Sequence, residues 1–340
     1  MKTTTLSLAA LSLLQLTLAQ PHVGRHNAHR ALHEKRDLGT VVDTAVVEAR
    51  APDVVGYPPA ASTPVPNPQA GFGFSYTPYL ANKQCKTQEQ VNHDFAAIPP
   101  GFSTVRIYGP DCNQVRTTMV AAKKYGFKIF AGVYHFDKVA AETQVIVDAV
   151  QGDWSLITMI SIGNEWVNNG ITDPAGVASA VATARAILTA AGYHGKIVAV
   201  DTLAAARAHP ELCENVPQCV LNCHPFFDTH TAAEGAGEFI VTQIAELRKL
   251  LSNPNIDILI SETGWPSSGI SHDKAVASPE AQKAAIESIK KSFASNPSGV
   301  VLFSTFNEFW KNNNPQLFNA ENSWGFLGHA PSDVAAGLIV

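Results

Sequence analysis

Between residues 71 and 330 the apolar positions of the chain follow two alternating rhythms. Short runs rich in Val, Ile, Phe and Leu fall at 71–75, 104–108, 128–134, 157–163, 196–201, 219–224, 256–261 and 300–306. That is the length and composition of strands buried on both faces. Between them apolar residues recur at three and four positions, the period of one helix face. Thr87 with Gln90 forms a capping box ahead of Val91, Phe95 and Ile98. Asp173 followed by Pro174 opens a helix with Val177, Val181, Ala184 and Leu188 on one face, and Gly192 suits its end. Ile240, Ile244, Leu247 and Leu251 repeat the spacing, and Ser278-Pro279-Glu280 starts a further helix carrying Ile286, Ile289 and Phe293.

Eight strand–helix units in about 250 residues match the size and period of a (β/α)8 barrel. The chain is therefore expected to be an α/β protein, a (β/α)8 TIM barrel forming a single domain. A doubly wound sheet would place a Gly-rich phosphate turn after its first strand, and none stands there.

The remaining composition sets the compartment and excludes some partners. Of 340 residues 46% are hydrophobic and 16% charged, which allows a large core. A net charge of −5, with no basic run interleaved with aromatics, argues against a nucleic-acid partner. Residues 1–19 have the basic start, apolar stretch and small-residue end of a signal peptide. Residues 20–36 end in the dibasic Lys35-Arg36, the pattern of a propeptide, and six prolines among residues 51–70 mark 37–70 as a linker. The barrel is expected over 71–330, with 331–340 a C-terminal tail too short for a lipid-anchor signal and no membrane anchor elsewhere. No N-x-Ser/Thr acceptor lacking proline is present. Five cysteines in an oxidising compartment predict one or two disulfides: Cys85 with Cys112, and Cys213 with either Cys219 or Cys223. Cys223-His224 and His230 fit no standard zinc spacing.

Two carboxyls stand where a barrel keeps its chemistry, at the C-terminal ends of strands. The fourth strand runs into Asn164-Glu165-Trp166 and the seventh into Glu262-Thr263-Gly264-Trp265-Pro266. Strands four and seven lie across the mouth from each other, so their side chains can converge on one bound bond. Glycoside cleavage needs such a pair, one acid to protonate the leaving oxygen and one carboxylate to attack the anomeric carbon. Tyr76, Tyr108, Tyr134, Phe226, Phe227, Trp265, Trp310 and Trp324 supply rings near strand ends, for sugar stacking or for core packing. His224 is a candidate binding residue.

The segment Ile258-Leu-Ile-Ser-Glu-Thr-Gly-Trp-Pro-Ser-Ser-Gly269 closely resembles the nucleophile signature of glycoside hydrolase family 17, the β-1,3-glucanase family. Ser161-Ile-Gly-Asn-Glu165 resembles its acid/base segment. Agreement extends to Val105-Arg-Ile-Tyr-Gly109, Val200-Asp-Thr202, Asn222 with His224, Phe306-Asn-Glu-Phe-Trp-Lys311 and Trp324-Gly325. The leader, dibasic site and proline-rich stretch are similar to those of fungal cell-wall members.

The resemblance implies Glu262 as nucleophile and Glu165 as acid/base, with Asn164 hydrogen-bonding the sugar 2-hydroxyl. Glu308 and Lys311 match a further family pair near the nucleophile. Lys311 or Arg106 would keep Glu262 ionised, unless Arg106 serves an ion pair inside the barrel. Tyr76, Tyr108, His224, Phe227 and Trp265 complete the expected substrate-binding set. The implied protein is a secreted, extracellular cell-wall monomer. It acts on β-1,3-glucan with retention, uses no metal or organic cofactor, and has transfer to sugar acceptors beside hydrolysis. Loss of Glu165 or Glu262 would mark a non-catalytic glucan-binding protein on the same barrel; both are present. Asn222-Cys223-His224-Pro225 departs from the aromatic residues of the plant branch, so subsite shape does not carry over from there.

Overall fold

The computed structural model describes residues 71–339. The expected signal peptide, propeptide and linker lie outside them. Nine parallel strands make one sheet: β1 Phe72–Ser75, β2 Phe102–Arg106, β3 Lys128–Val133, β4 Ile157–Ile162, β5 Lys196–Val198, β6 Val200–Thr202, β7 Cys219–Asn222, β8 Ile258–Thr263 and β9 Val300–Leu302. Their order is β5-β4-β3-β2-β1-β9-β8-β7-β6. The two ends of that order are one stretch of chain, because β5 and β6 are separated only by Ala199. β5 pairs with β4 and β6 with β7, so this split strand closes the ladder into a barrel of eight strand positions. All eight expected strands are found, the fifth as this pair.

Helices α1 Gln88–Ala96, α2 Gln114–Tyr125, α3 Val139–Val150, α4 Pro174–Ala190, α5 Leu203–Ala208, α6 Ala236–Arg248 and α7 Pro279–Ser292 alternate with the strands. Their ends follow local chemistry. The Thr87–Gln90 capping box is formed in both directions, and Asp173 and Ser278 accept the amides of Gly176 and Ala281. Each cap contributes about 1 kcal/mol. Ile240, Leu247, Ala184, Leu188 and Ile289 are fully buried between the helices and the sheet. A second, smaller core fills the barrel itself with Phe130, Met159, Val198, Val200, Val220, Leu259 and Val301. Strand alternation thus serves two apolar environments, which is why the strands read as nearly continuous apolar runs.

The stretch expected as a tail begins instead with a docked helix, α8 Pro331–Ala335. Ser332 and Asp333 are buried, Asp94 of α1 accepts the Ser332 N–H at 2.8 Å, and Asp333 accepts the Ala81 N–H at 2.8 Å. The barrel unit therefore extends past residue 330. Polar atoms that find partners in the barrel are the reason.

Cys85 is bonded to Cys112 and Cys213 to Cys219, leaving Cys223 as a buried thiol. Burial pushes the Cys223 thiol up to about 12, so the nucleophilic thiolate is scarce. Iodoacetamide at mildly alkaline pH is expected to leave the native protein unlabelled and to modify one thiol once the unreduced chain is denatured. Mass spectrometry showing equal labelling in both states would contradict the burial.

Candidate active site

The site begins with an interruption of regular strand pairing. From Leu221 to Asn222 is one step on β7, but their β8 partners, Ile260 and Glu262, are two steps apart. On the other side Val300 and Leu302 of β9 lie two steps apart against three for Ile260 and Thr263. One extra residue therefore sits in β8 at Ser261–Glu262. Strict alternation from Leu259, which points into the barrel, would turn Glu262 toward the helices. The bulge re-aims it into the mouth.

Arg106 closes β2 and is 1% exposed. Its Nη1 donates to Glu262 Oε1 at 2.9 Å, to the Ser261 carbonyl at 2.8 Å and to Asn222 Oδ1 at 3.2 Å, while Nη2 donates to Asn164 Oδ1 at 2.8 Å. The guanidinium also lies over the rings of Tyr108 and Phe130, 4.6 and 5.2 Å from their centroids. The two alternatives posed for Arg106 are thus one: it is the barrel-interior ion-pair partner, and its partner is Glu262.

Asn222 links Glu165 to the Arg106 guanidinium that holds Glu262. Its Nδ2 donates to Glu165 Oε1 at 2.9 Å and to Asn164 Oδ1 at 3.1 Å, while its Oδ1 accepts from Arg106 and from Ser261 Oγ. Glu165 and Glu262 are 6% and 5% exposed, and both line one cleft of about 390 Å³. His224 Nε2 lies 3.3 Å from Glu262 Oε2, its ring edge against Trp324 and Phe303. Burial and then the Glu262 charge push the Tyr108 phenol well above its usual range, so it remains a proton-bearing donor.

Glu165 follows β4 through a sharp turn. Gly163 has φ +89°, and a Cβ there would lie 2.5 Å from the Trp166 ring, so only glycine fits. Glu165 itself has φ +57°. Asp201 supports this turn from β6, accepting the N–H groups of Val167 and Asn168 at 2.8 and 3.1 Å. Burial pushes the Asp201 carboxyl up to about 7, with the Glu165 charge adding to the rise and amide N–H groups opposing it.

On the opposite wall Lys311 Nζ pairs with Glu308 Oε2 at 2.6 Å, and Thr77 Oγ1 donates to Glu308 Oε1 at 2.6 Å. Burial works against the Lys311 ammonium, but the Glu308 and Glu321 charges outweigh it and hold its proton more tightly than usual.

Eight expected residues share the cleft: Glu165, Glu262, Asn164, Tyr108, His224, Phe227, Glu308 and Lys311. Tyr76 and Trp265 do not. Tyr76 is 3% exposed, donates to Asp94 Oδ2 at 2.8 Å and packs edge-on against Phe95, behind the strands. Trp265 is fully buried, donates to the Val276 carbonyl at 2.7 Å and packs on Phe226. Both sit just past strand ends but point outward, and proximity in sequence to a catalytic strand end does not specify that direction.

Other members of the site escaped the sequence reading. Glu142 of α3 reaches the cleft by accepting the Tyr134 N–H at 2.6 Å and pairing with His135 Nδ1. Asp111 accepts from Tyr79 at 2.6 Å on the far side. Asp201 carried the one available signal, its place in the family-like segment Val200-Asp-Thr202, but no role was read from it. Among the described residues no group of three His, Cys, Asp or Glu is arranged to hold a metal ion.

Arg106→Met leaves the Glu262 charge buried without its cation, which costs about 3–5 kcal/mol. Urea unfolding is expected to show a loss of that size, and Arg106→Met/Glu262→Gln should recover part of it because the orphaned charge is gone. Additive losses would mean that the pair does not act as a unit.

The BtgE/BtgC glycoside hydrolase domain matches residues 73–325. The chain is 39% identical over 257 residues to the probable family 17 glucosidase SCW10 of Saccharomyces cerevisiae, covering 75% of this chain and 64% of that protein. It is 39% identical over 259 residues to the cell surface mannoprotein MP65 of Candida albicans, covering 76% and 66%. The chain thus spans a little under two thirds of these relatives' length. In fold it is similar to the glycoside hydrolase family 17 β-1,3-glucanosyltransferase of Rhizomucor miehei, with a TM-score of 0.65 at 21% identity over 78% of this chain and 97% of that one. Barrel, paired acids and domain match agree, and the chain belongs to the BtgE/BtgC glycoside hydrolase family.

Proposed function

We propose that this protein is a retaining glycosidase acting on β-1,3-glucan, with Glu262 as nucleophile and Glu165 as acid/base. The observation that carries the reading is the unequal environment of two neighbouring buried acids. Glu262 is hydrogen-bonded by the Arg106 guanidinium, which favours the charged form that attacks carbon. Glu165 takes instead a neutral amide, Asn222 Nδ2, at 2.9 Å.

In the first half-reaction a Glu262 carboxylate oxygen attacks the anomeric carbon while Glu165 protonates the departing oxygen, leaving a glycosyl ester on Glu262. In the second, Glu165 takes a proton from an incoming hydroxyl, which attacks the same carbon and frees Glu262. Asn164 Oδ1 is already occupied by Arg106 and Asn222, so its Nδ2 is the group left to meet the sugar 2-hydroxyl. Tyr79 and Trp310, with ring centroids 4.9 Å apart, and the Phe227 and Trp324 rings give the cleft apolar walls for sugar faces.

The substrate assignment is supported by family membership and by the Rhizomucor miehei β-1,3-glucanosyltransferase, whose fold this chain shares and which has been seen with laminaritriose. The signal-like start, two disulfides and the cell-surface relative support action on wall glucan outside the cell.

Glu262→Ala is expected to abolish laminarin cleavage with folding intact, and external azide to restore it with an inverted glycosyl azide as product. Substantial residual activity without azide would move the nucleophile elsewhere. A sugar-bound inhibitor complex should show the two carboxyls roughly 5–5.5 Å apart, as retention demands; a gap near 9 Å in a closed site would mean inversion.

A walled cleft raises the effective concentration of a bound sugar acceptor against water. Millimolar laminari-oligosaccharide is therefore expected to yield products longer than the starting chain, read by size separation. Only shorter species at every concentration would leave a plain hydrolase.

A further inference from the structure

One buried acid near the cleft has no part in the mechanism above. Asp201 is 4% exposed and does not line the cleft. Its carboxyl instead faces backbone. Oδ2 accepts the Val167 N–H at 2.8 Å, and Oδ1 accepts those of Asn168 at 3.1 Å and Thr202 at 2.8 Å.

The segment it meets is the one that carries Glu165. The Asn169 N–H closes a single turn on the Glu165 carbonyl at 2.9 Å. The amides inside such a turn have no partners of their own, and a side chain on the neighbouring strand supplies them. Glu165 also needs support because its φ of +57° is unfavourable for a residue with a Cβ, and such a conformation persists only when its surroundings enforce it. Besides Asp201, the enforcing contacts are the Glu165 N–H on the Val200 carbonyl at 2.9 Å and Thr202 Oγ1 on Asn168 Oδ1 at 3.0 Å. These three residues belong to β6; Trp166 Nε1 on the Tyr134 carbonyl at 3.0 Å anchors the turn from the end of β3, and Asn222 Nδ2 of β7 on Glu165 Oε1 at 2.9 Å holds the carboxyl itself. Glu262 is held from elsewhere, by Arg106 and His224.

We propose that Asp201 is the positioning residue of the acid/base: it holds the 165–169 turn so that Glu165 meets the scissile oxygen, and its loss disables proton transfer while sparing attack by Glu262. The inference rests on the retaining mechanism proposed above. Asp201 reaches the backbone that carries Glu165 and makes no hydrogen bond to Glu262, which Arg106 of β2 holds; Asn222 of β7, in contact with both Glu165 and Arg106, is left untouched by changes at Asp201.

The test compares two substrates. Laminarin needs Glu165 to protonate a sugar leaving group. A 2,4-dinitrophenyl β-laminaribioside does not: dinitrophenolate departs unprotonated as the Glu262 ester forms, and added azide then attacks the anomeric carbon, freeing the Glu262 carboxylate and giving the β-azide. Rates are divided by the number of sites that a 2-deoxy-2-fluoro-laminaribiosyl fluoride labels at Glu262, so only folded enzyme is counted. Asp201→Asn replaces one accepting oxygen with an amide nitrogen and is expected to lose about 10²-fold in kcat/KM on laminarin. The azide reaction on the activated substrate should stay within about threefold of wild type, because it needs no proton transfer. Asp201→Glu, which keeps the charge but displaces the oxygens, is read in the same way if the first variant does not label.

Equal losses on both substrates, no loss on laminarin, or absence of labelling in both variants would make Asp201 a folding residue and overturn the proposal. A wild type that cleaves neither substrate would instead overturn the glycosidase reading, before any variant is compared.

Discussion

The site depends on a guanidinium buried at the barrel axis. Arg106 is 1% exposed, and taking its charge out of water is costly unless its hydrogen-bonding groups find partners. The barrel meets that condition at both terminal nitrogens, with a carboxylate, a backbone carbonyl and two side-chain amides from three other strand ends, and leaves Nε without a partner. Each partner is held in turn. Glu262 and the Ser261 carbonyl belong to the bulge in β8, Asn222 ends β7, and Asn164 follows β4. A single cation thereby gathers groups that lie 58 to 156 residues from it in the chain.

Barrel closure makes this arrangement available. Inward-facing positions of the strands fill the interior with apolar side chains as far as Phe130, Met159 and Leu259, and polar residues take over one layer higher. Arg106, Ser161, Asn222 and Ser261 occupy that layer. The apolar plug below keeps water from reaching the network from beneath, which strengthens its electrostatic contacts.

The two acids differ less in burial than in support. Glu262 answers to a cation and an imidazole, and Glu165 to a neutral amide and to a strained turn fastened on β6. A carboxylate used as a nucleophile gains from a fixed charge partner. In the mechanism we propose, a carboxyl that must give and retake a proton in one cycle gains from accurate placement. The division follows from which strand supports each residue.

Much of this protein was legible without coordinates, because local physics writes itself into sequence. Strands buried on both faces must be continuously apolar, helix starts must satisfy free amides, and both kinds of signal located the elements and the Thr87, Asp173 and Ser278 caps. The positions of Glu165 and Glu262 at strand ends were legible for the same reason, and the Cys85–Cys112 bond was expected. Direction was not. Tyr76 and Trp265 point into the outer core, Glu142 comes to the cleft from a helix with no chemical motif of its own, and Asp201, although part of the family-like Val200-Asp-Thr202, gave no sign that it would face the Glu165 turn. Nor did any local pattern tell that β8 carries an extra residue, or that one Asn would contact both Glu165 and the Arg106 that holds Glu262. These depend on register between strands far apart in the chain, and register is decided only when the barrel closes.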